Sequence, residues 1–226
     1  MTNSHALTRD NIREGHIAKM MAAHDSSIVM LSEEELALSR RTAMREHKGG
    51  DLWLFGYGSL IWNPAFEFSE RRIGLITGRH RRFCLWTWLG RGSRDCPGLM
   101  LGLEAGGRCS GVAYRIDRDA IDSELDVVWR REMLTAAYRP IWVRVATEAG
   151  VVPALTFAIN RRHERYAGKL SIETVAERLS LACGPLGTGA EYLFNTHGHL
   201  KELGLRDRYL DTLSELVRAR HGAQKV

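Results

Sequence analysis

The sequence predicts an α+β fold: a polar helical arm, a run of short strands, and helices gathered towards the C-terminal end. Three observations carry this. From residue 51 to 159 aromatic and branched residues cluster in short stretches separated by Gly, Pro, Asp and Ser. Those stretches follow one another directly, whereas βαβ units would alternate strand with helix. The periodicity also changes abruptly at the glycines of HKGGD, residues 47–51.

Residues 1–48 are expected to form the arm and residues 51–226 a second unit that carries the chemistry. Within the arm, Ser32 and Glu35 have capping-box spacing, and Leu31 and Leu36 sit where a hydrophobic staple would close. The helix they begin should run to about Ala43. Strands are then expected at 52–55, 73–77, 81–88, 99–103 and 111–116. A helix follows at 118–134, two more strands at 141–146 and 152–159, and helices at 171–182, 189–203 and 208–220. Six or seven strands close naturally into a small barrel, which removes exposed edges.

At 226 residues, with 44% hydrophobic and 26% charged content, the chain can bury a full core and is not a disordered or fibrous protein. No stretch has the length of uncharged sequence needed to span a bilayer, and MTNSHALTRD lacks the apolar centre of a signal peptide, so no membrane association and a cytoplasmic location are expected. The net charge of +5 comes from 32 basic against 27 acidic residues, with arginines in dispersed doublets. That pattern suits a small anionic substrate, and no nucleic-acid partner is expected. Cys84, Cys96, Cys109 and Cys183 never form C-x-x-C, and His197-Gly-His199 lacks a third ligand, so no metal site is expected.

The stretch LWLFGYGSLIW, residues 52–62, breaks a buried strand with Gly56-Tyr57-Gly58-Ser59. Glycines there can take φ > 0 and leave the main chain open to a ligand, so successive N–H groups at 56–60 could converge on an anion. A tight inter-strand turn explains a bare G-x-G equally well. The dinucleotide fingerprint, the P-loop and the nucleophile elbow all fail on residue identity.

A second signal lies on the helix at 118–134. Ile121, Leu125, Val128 and Glu132 share one face, with Asp122, Asp126, Arg130 and Arg131 expected to point elsewhere. A carboxylate at the end of an apolar stripe should have a raised pKa, which suits general acid–base chemistry. A structural ion pair with a buried arginine, or a helix end where the glutamate emerges, would produce the same pattern.

The ordered set F-G-Y-G-S-L-I-W at 55–62, R-R-F at 81–83, G-V-A-Y-R at 111–115, R-E at 131–132, Y-R-P at 138–140 and E-Y-L-F at 191–194 resembles the ChaC-type glutathione-specific γ-glutamylcyclotransferases. The resemblance runs from about residue 51 to the C-terminus, and the helical arm is similar to that of bacterial members. It implies a γ-glutamylcyclotransferase-like small mixed β-barrel flanked by helices. It also implies a cofactor-free lyase that converts glutathione to 5-oxoproline and cysteinylglycine. By resemblance, Tyr57, Gly58, Ser59 and Leu60, flanked by Gly56 and Ile61, bind the γ-glutamyl group, and Glu132 is the essential glutamate. The link from Glu132 to Tyr138 is longer than the K-G-G-Y of members resembling the animal enzymes, which leaves Tyr138 without an assigned role. Glutathione has a second carboxylate, for which Arg72, Arg91 and Arg94 are the candidates. Two alternatives stay open, a cyclotransferase for other γ-glutamyl amines or amino acids and a non-catalytic regulatory protein associated with cation transport. The oligomeric state is not encoded in any of these signals.

Overall fold

The computed structural model describes residues 7–24 and 28–223. The parts of the expected arm and C-terminus at 1–6, 25–27 and 224–226 lie outside them. The expected α+β barrel is present, as five strands: β1 (Leu52–Gly56), β2 (Glu70–Thr87), β3 (Gly98–Ile116), β4 (Tyr138–Thr147) and β5 (Gly150–Ile159). Their order is β1-β3-β2-β4-β5, and a parallel pairing of Trp53 with Ala154 and Leu54 with Leu155 closes the ring. Four of the five residues of β1 are buried because the strand has a neighbour on each edge and core on its inner face.

The expected strands at 73–77 and 81–88 are one strand, β2, and those at 99–103 and 111–116 are likewise one, β3. The glycines between them are not turns. Pairing passes from Thr77 opposite Arg108 to Arg79 opposite Ala105, so Gly78 stands against Gly106 and Gly107, all three at positive φ. This is a β-bulge, which bends the long hairpin without ending it. Bending of this kind lets two long strands wrap a five-stranded barrel.

Helix α4 (Ile121–Glu132), preceded by a 3₁₀ turn at Arg118–Ala120, crosses from β3 to β4. Leu125 and Val128 are fully buried, and Trp129 meets the Phe157 ring edge-on at 5.4 Å between centroids. Past β5 come α5 (Ile172–Leu181), a miniature hairpin of β6 (Cys183–Gly184) and β7 (Gly187–Thr188), α6 (Gly189–Glu202) and α7 (Arg208–Ala223). That hairpin had no counterpart in the sequence reading, because two-residue strands carry no periodicity.

The arm consists of α1 (Arg9–Arg13), α2 (His16–His24) and α3 (Glu33–Met44). The Ser32–Glu35 capping box forms in both directions, at 3.2 and 2.8 Å. Rather than projecting from the barrel, the arm is bonded along it. The Leu31 N–H donates to the Leu134 carbonyl at 2.8 Å, and the indoles of Trp129 and Trp142 donate to Ser39 and to the Ala43 carbonyl. Most telling is Glu124, on the arm-facing side of α4 and only 2% exposed in its side chain. It accepts from Arg9, from the Glu67 N–H and from Ser123. Burial opposes its charge, but those donors outweigh burial and hold its pKa below the usual carboxylate range.

The barrel leaves no room for a side chain at Gly111, opposite Gly74 on β2. A methyl group there would lie 2.3 Å from the Gly56 carbonyl and 2.7 Å from the Phe55 ring. Backbone cannot yield as a side-chain end can, so Gly111→Ala is expected to destabilise the fold by about 2 kcal/mol or more. Urea unfolding checks this; an unchanged midpoint would mean that β1 and β3 can separate there without loss.

Candidate active site

The site begins where β1 ends. Gly56 lets the chain fold back on itself, since a Cβ at that position would sit 3.0 Å from the Leu60 Cβ and 3.3 Å from the Tyr114 ring. The Tyr114 hydroxyl then donates to the carbonyls of Leu60 and Ile61, at 3.0 and 3.3 Å. Gly56 and Ile61 therefore support the turn from behind and do not face the cavity. Tyr57, Gly58, Ser59 and Leu60 do line it, and it measures about 630 Å³.

Arg81, buried in the barrel wall, fixes the orientation of this turn. Its Nη1 donates to the Tyr57 carbonyl at 2.6 Å, and its Nε lies 2.8 Å from Asp207 Oδ2 in the loop between α6 and α7. A trans peptide with its carbonyl turned towards Arg81 turns the Gly58 N–H the other way. Among the described residues, no acceptor meets the N–H groups of Gly58, Ser59 or Leu60. The expectation of positive φ is not met: Gly58 has φ −135°. Its need for glycine is steric, because a Cβ would come 3.2 Å from the Tyr192 hydroxyl.

Glu132, the last residue of α4, faces the same cavity with its side chain 14% exposed. Burial raises its pKa, and the Arg131 guanidinium, Nε at 3.2 Å from Oε1, opposes the rise without cancelling it. Arg131 does not point away as the helical spacing had suggested. At the helix end its side chain turns back into the site, with Nη2 donating to Ser59 Oγ at 2.9 Å and Nη1 to the Asn63 carbonyl. The ion-pair reading and the acid–base reading of Glu132 are therefore both present in one geometry: a paired carboxylate that is still destabilised by desolvation.

Three phenols surround this carboxylate. Tyr57 donates to the Phe157 carbonyl at 2.8 Å and Tyr138 to the Leu101 carbonyl at 2.7 Å. Burial pushes both far above the ordinary phenol range and lifts Tyr192 to about 12, with the Glu132 charge adding to each. All three stay neutral, so the cavity's charge lies on its carboxylates and arginines. Tyr192 belongs to the E-Y-L-F segment, which the sequence reading noted without placing it at the site.

Of the three arginines proposed for a second carboxylate, only Arg91 lines the cavity; its Nη1 is held by the Thr188 carbonyl at 3.0 Å and by Glu191 at 3.1 Å. Arg72 stacks on Trp53 and pairs with Glu70 on the outer surface, and Arg94 is exposed on its loop. Arg165, not anticipated, lines the cavity instead. Among the described residues the Ser59 hydroxyl has no histidine partner; it accepts from Arg131, and a hydrogen bond also links it to the Tyr192 phenol. The described residues contain no cluster of three or more His, Cys, Asp or Glu able to hold a metal ion, and no helix long and apolar enough to cross a membrane.

The arm reaches this cavity as well. Leu7, Ile17, Met20 and Met21 form part of the cavity wall. The Asn63 amide, donating to the Leu7 carbonyl at 3.0 Å, ties this wall to the segment that Arg131 also grips.

Residues 52–220 match the family of ChaC-like proteins. The chain belongs to that family. It is 38% identical over 208 residues to the glutathione-specific γ-glutamylcyclotransferase of Escherichia coli strain K12, covering 92% of this chain and 90% of that one. It is also 32% identical to γ-glutamylcyclotransferase 2-3 of Arabidopsis thaliana, over 74% of this chain and 88% of the plant protein. Among solved structures, a yeast γ-glutamylcyclotransferase specific to glutathione superposes with a TM-score of 0.69 at 21% identity, covering 76% of this chain and 97% of the yeast chain. That structural likeness establishes the fold. The Escherichia coli relative matches too much of the chain to exclude the arm, whereas the plant relative leaves about a quarter unmatched.

The desolvated Glu132 has a consequence for stability. A carboxyl whose pKa is higher folded than unfolded (about 4.3 for glutamate) binds its proton more tightly in the folded state. It therefore favours folding below the unfolded value and loses that contribution as pH rises towards the folded one. Glutamine cannot ionise, so the Tm of Glu132→Gln relative to the parent should become more favourable between pH 4 and pH 8. Calorimetry checks this, and the opposite trend would mean that Arg131 over-compensates burial.

Proposed function

We propose that this ChaC-like protein is a glutathione-specific γ-glutamylcyclotransferase, a lyase that releases 5-oxoproline and cysteinylglycine. One observation carries the reading: a desolvated carboxyl, Glu132, shares a cavity with a turn whose N–H groups have no acceptor among the described residues. The names and extents of the most similar relatives support it.

The chemistry follows from the substrate. Its α-amine attacks its own γ-carbonyl carbon, a C–N bond forms to close a five-membered ring, and the C–N bond to cysteine breaks. The nucleophile arrives tethered, so the rate gain of intramolecularity is available without a serine or cysteine on the protein. At neutral pH the α-nitrogen sheds two protons overall and the leaving nitrogen gains two. One carboxyl can therefore carry protons from the first to the second and end unchanged.

In this scheme Glu132 is the acid–base group, with its basicity raised by burial so that it can accept from an ammonium. Arg131 keeps it oriented while also holding Ser59, which couples the carboxyl to the turn. Gly58, Ser59 and Leu60 offer N–H groups to the substrate's α-carboxylate or to the oxyanion that develops on the γ-carbonyl. The phenols of Tyr57 and Tyr138, committed to backbone carbonyls, wall the site, and the arm's Ile17 and Met20 keep water out.

Glu132→Gln is expected to retain the fold and bind glutathione while losing turnover by about two orders of magnitude or more. In the parent, kcat/KM should rise with pH through the elevated Glu132 pKa. Chromatographic detection of 5-oxoproline reads both, and near-parental turnover in the variant would remove Glu132 from the mechanism. Shortening the wall with Ile17→Ala and Met20→Ala together should raise KM severalfold with a smaller effect on kcat. If both constants hold, the arm walls a region that the substrate does not use.

A further inference from the structure

Three arginines line the cavity, Arg91, Arg131 and Arg165, against two carboxylates, Glu132 and Glu191. The carboxylates are taken: Glu191 by Arg91 and Glu132 by Arg131. Arg165 is left with no carboxylate within ion-pairing distance among the described residues, although it is only 8% exposed. Its single side-chain hydrogen bond runs from Nη2 to Thr135 Oγ1 at 2.6 Å, and its buried Nε has no partner. An uncompensated guanidinium of this kind is costly for a fold to keep, which makes its placement informative.

The segment that presents it is rigid. The Arg165 N–H donates to His163 Nδ1, and the His163 ring's other nitrogen meets the Thr135 carbonyl at 2.9 Å. The Arg165 carbonyl accepts from the Trp86 N–H, and Ala167 N–H donates to the Cys84 carbonyl, both at 2.8 Å. Asn160 is bonded to the Ala136 carbonyl. The charge is thus held on β2 on one side and on the segment following Glu132 on the other, with its guanidinium 5.9 Å above the Trp88 ring. Preorganisation of this kind suits a binding group.

Arg131 and Arg165 are anchored on opposite sides of Glu132 along the chain. Arg131 reaches the glycine turn through Ser59, while Thr135, three residues beyond Glu132, is bonded to Arg165. We propose that Arg165 is the specificity-determining residue that pairs with the substrate carboxylate farthest from the γ-glutamyl group. The substrates selected are then γ-glutamyl peptides that end in a free carboxylate. A net charge of −1 on glutathione matches the one positive charge lining the cavity that has no ion-pair partner among the described residues. This inference rests on the cyclotransferase reading above. A rigid fork favours the planar carboxylate over a neutral terminus.

Glutathione and its C-terminal amide differ only in that charge, so comparing them isolates it. In the wild-type protein kcat/KM should favour glutathione over the amide by about tenfold or more, carried mainly by KM. Arg165→Met should bring the ratio close to one, and Arg165→Lys should restore part of it. A ratio near one in the wild type overturns the proposal whether or not any variant folds. A ratio that survives Arg165→Met also overturns it and assigns the carboxylate to another cation. Calorimetric titration of the same two peptides on the wild-type protein separates this inference from the reaction on which it rests. Selective binding without turnover, lost in Arg165→Met, would uphold Arg165 and sink the proposed reaction, while turnover of both peptides at equal kcat/KM would do the reverse.

Discussion

The structure depends on keeping one carboxyl away from water without neutralising it completely. Glu132 sits at the end of a helix whose other inward residues are Leu125 and Val128, where solvent would ordinarily be absent altogether. Its guanidinium neighbour limits the cost of the charge but leaves the carboxyl more basic than in water. Around this balance the rest is arranged: phenols that remain neutral, a backbone turn held open from behind by Arg81 and Tyr114, and an apolar arm forming part of the cavity wall. Bringing water back would weaken each of these electrostatic relationships together.

What the sequence disclosed, and what it hid, divides by the range of the interaction. The Ser32–Glu35 capping box, the apolar β1 and the misplaced Glu132 are all local patterns, and each is where the spacing put it. Gly78, Gly106 and Gly107 were read as turns because a glycine's need for positive φ is the same in a turn and in a bulge. Only the partner strand distinguishes the two. Arg131 was misjudged because helical wheels predict where a side chain leaves the backbone, and a long arginine at a helix terminus can fold back around the end. Arg165 had no signal at all. Its significance lies in the absence, among the described residues, of a carboxylate within ion-pairing distance, and a missing partner leaves no trace in a one-dimensional pattern.

The comparison among relatives gives the arm a distinct standing. The yeast structure retains the fold with about a fifth of residues identical, so the fold tolerates wide substitution. The match to the plant protein is confined to about three quarters of this chain. In this protein the extra helices are not ornamental. They take up the buried Glu124, the indoles of Trp129 and Trp142, and part of the cavity wall.

The parallel closure of β1 against β5 joins residues about a hundred positions apart, and Arg81 waits still longer for Asp207. Contacts this distant in sequence form late, since the loop must close before they reward it. A chain emerging from the ribosome therefore carries its glycine turn and its Glu132 long before they face each other across a cavity. The barrel's last seam also brings the turn and Glu132 together across one cavity.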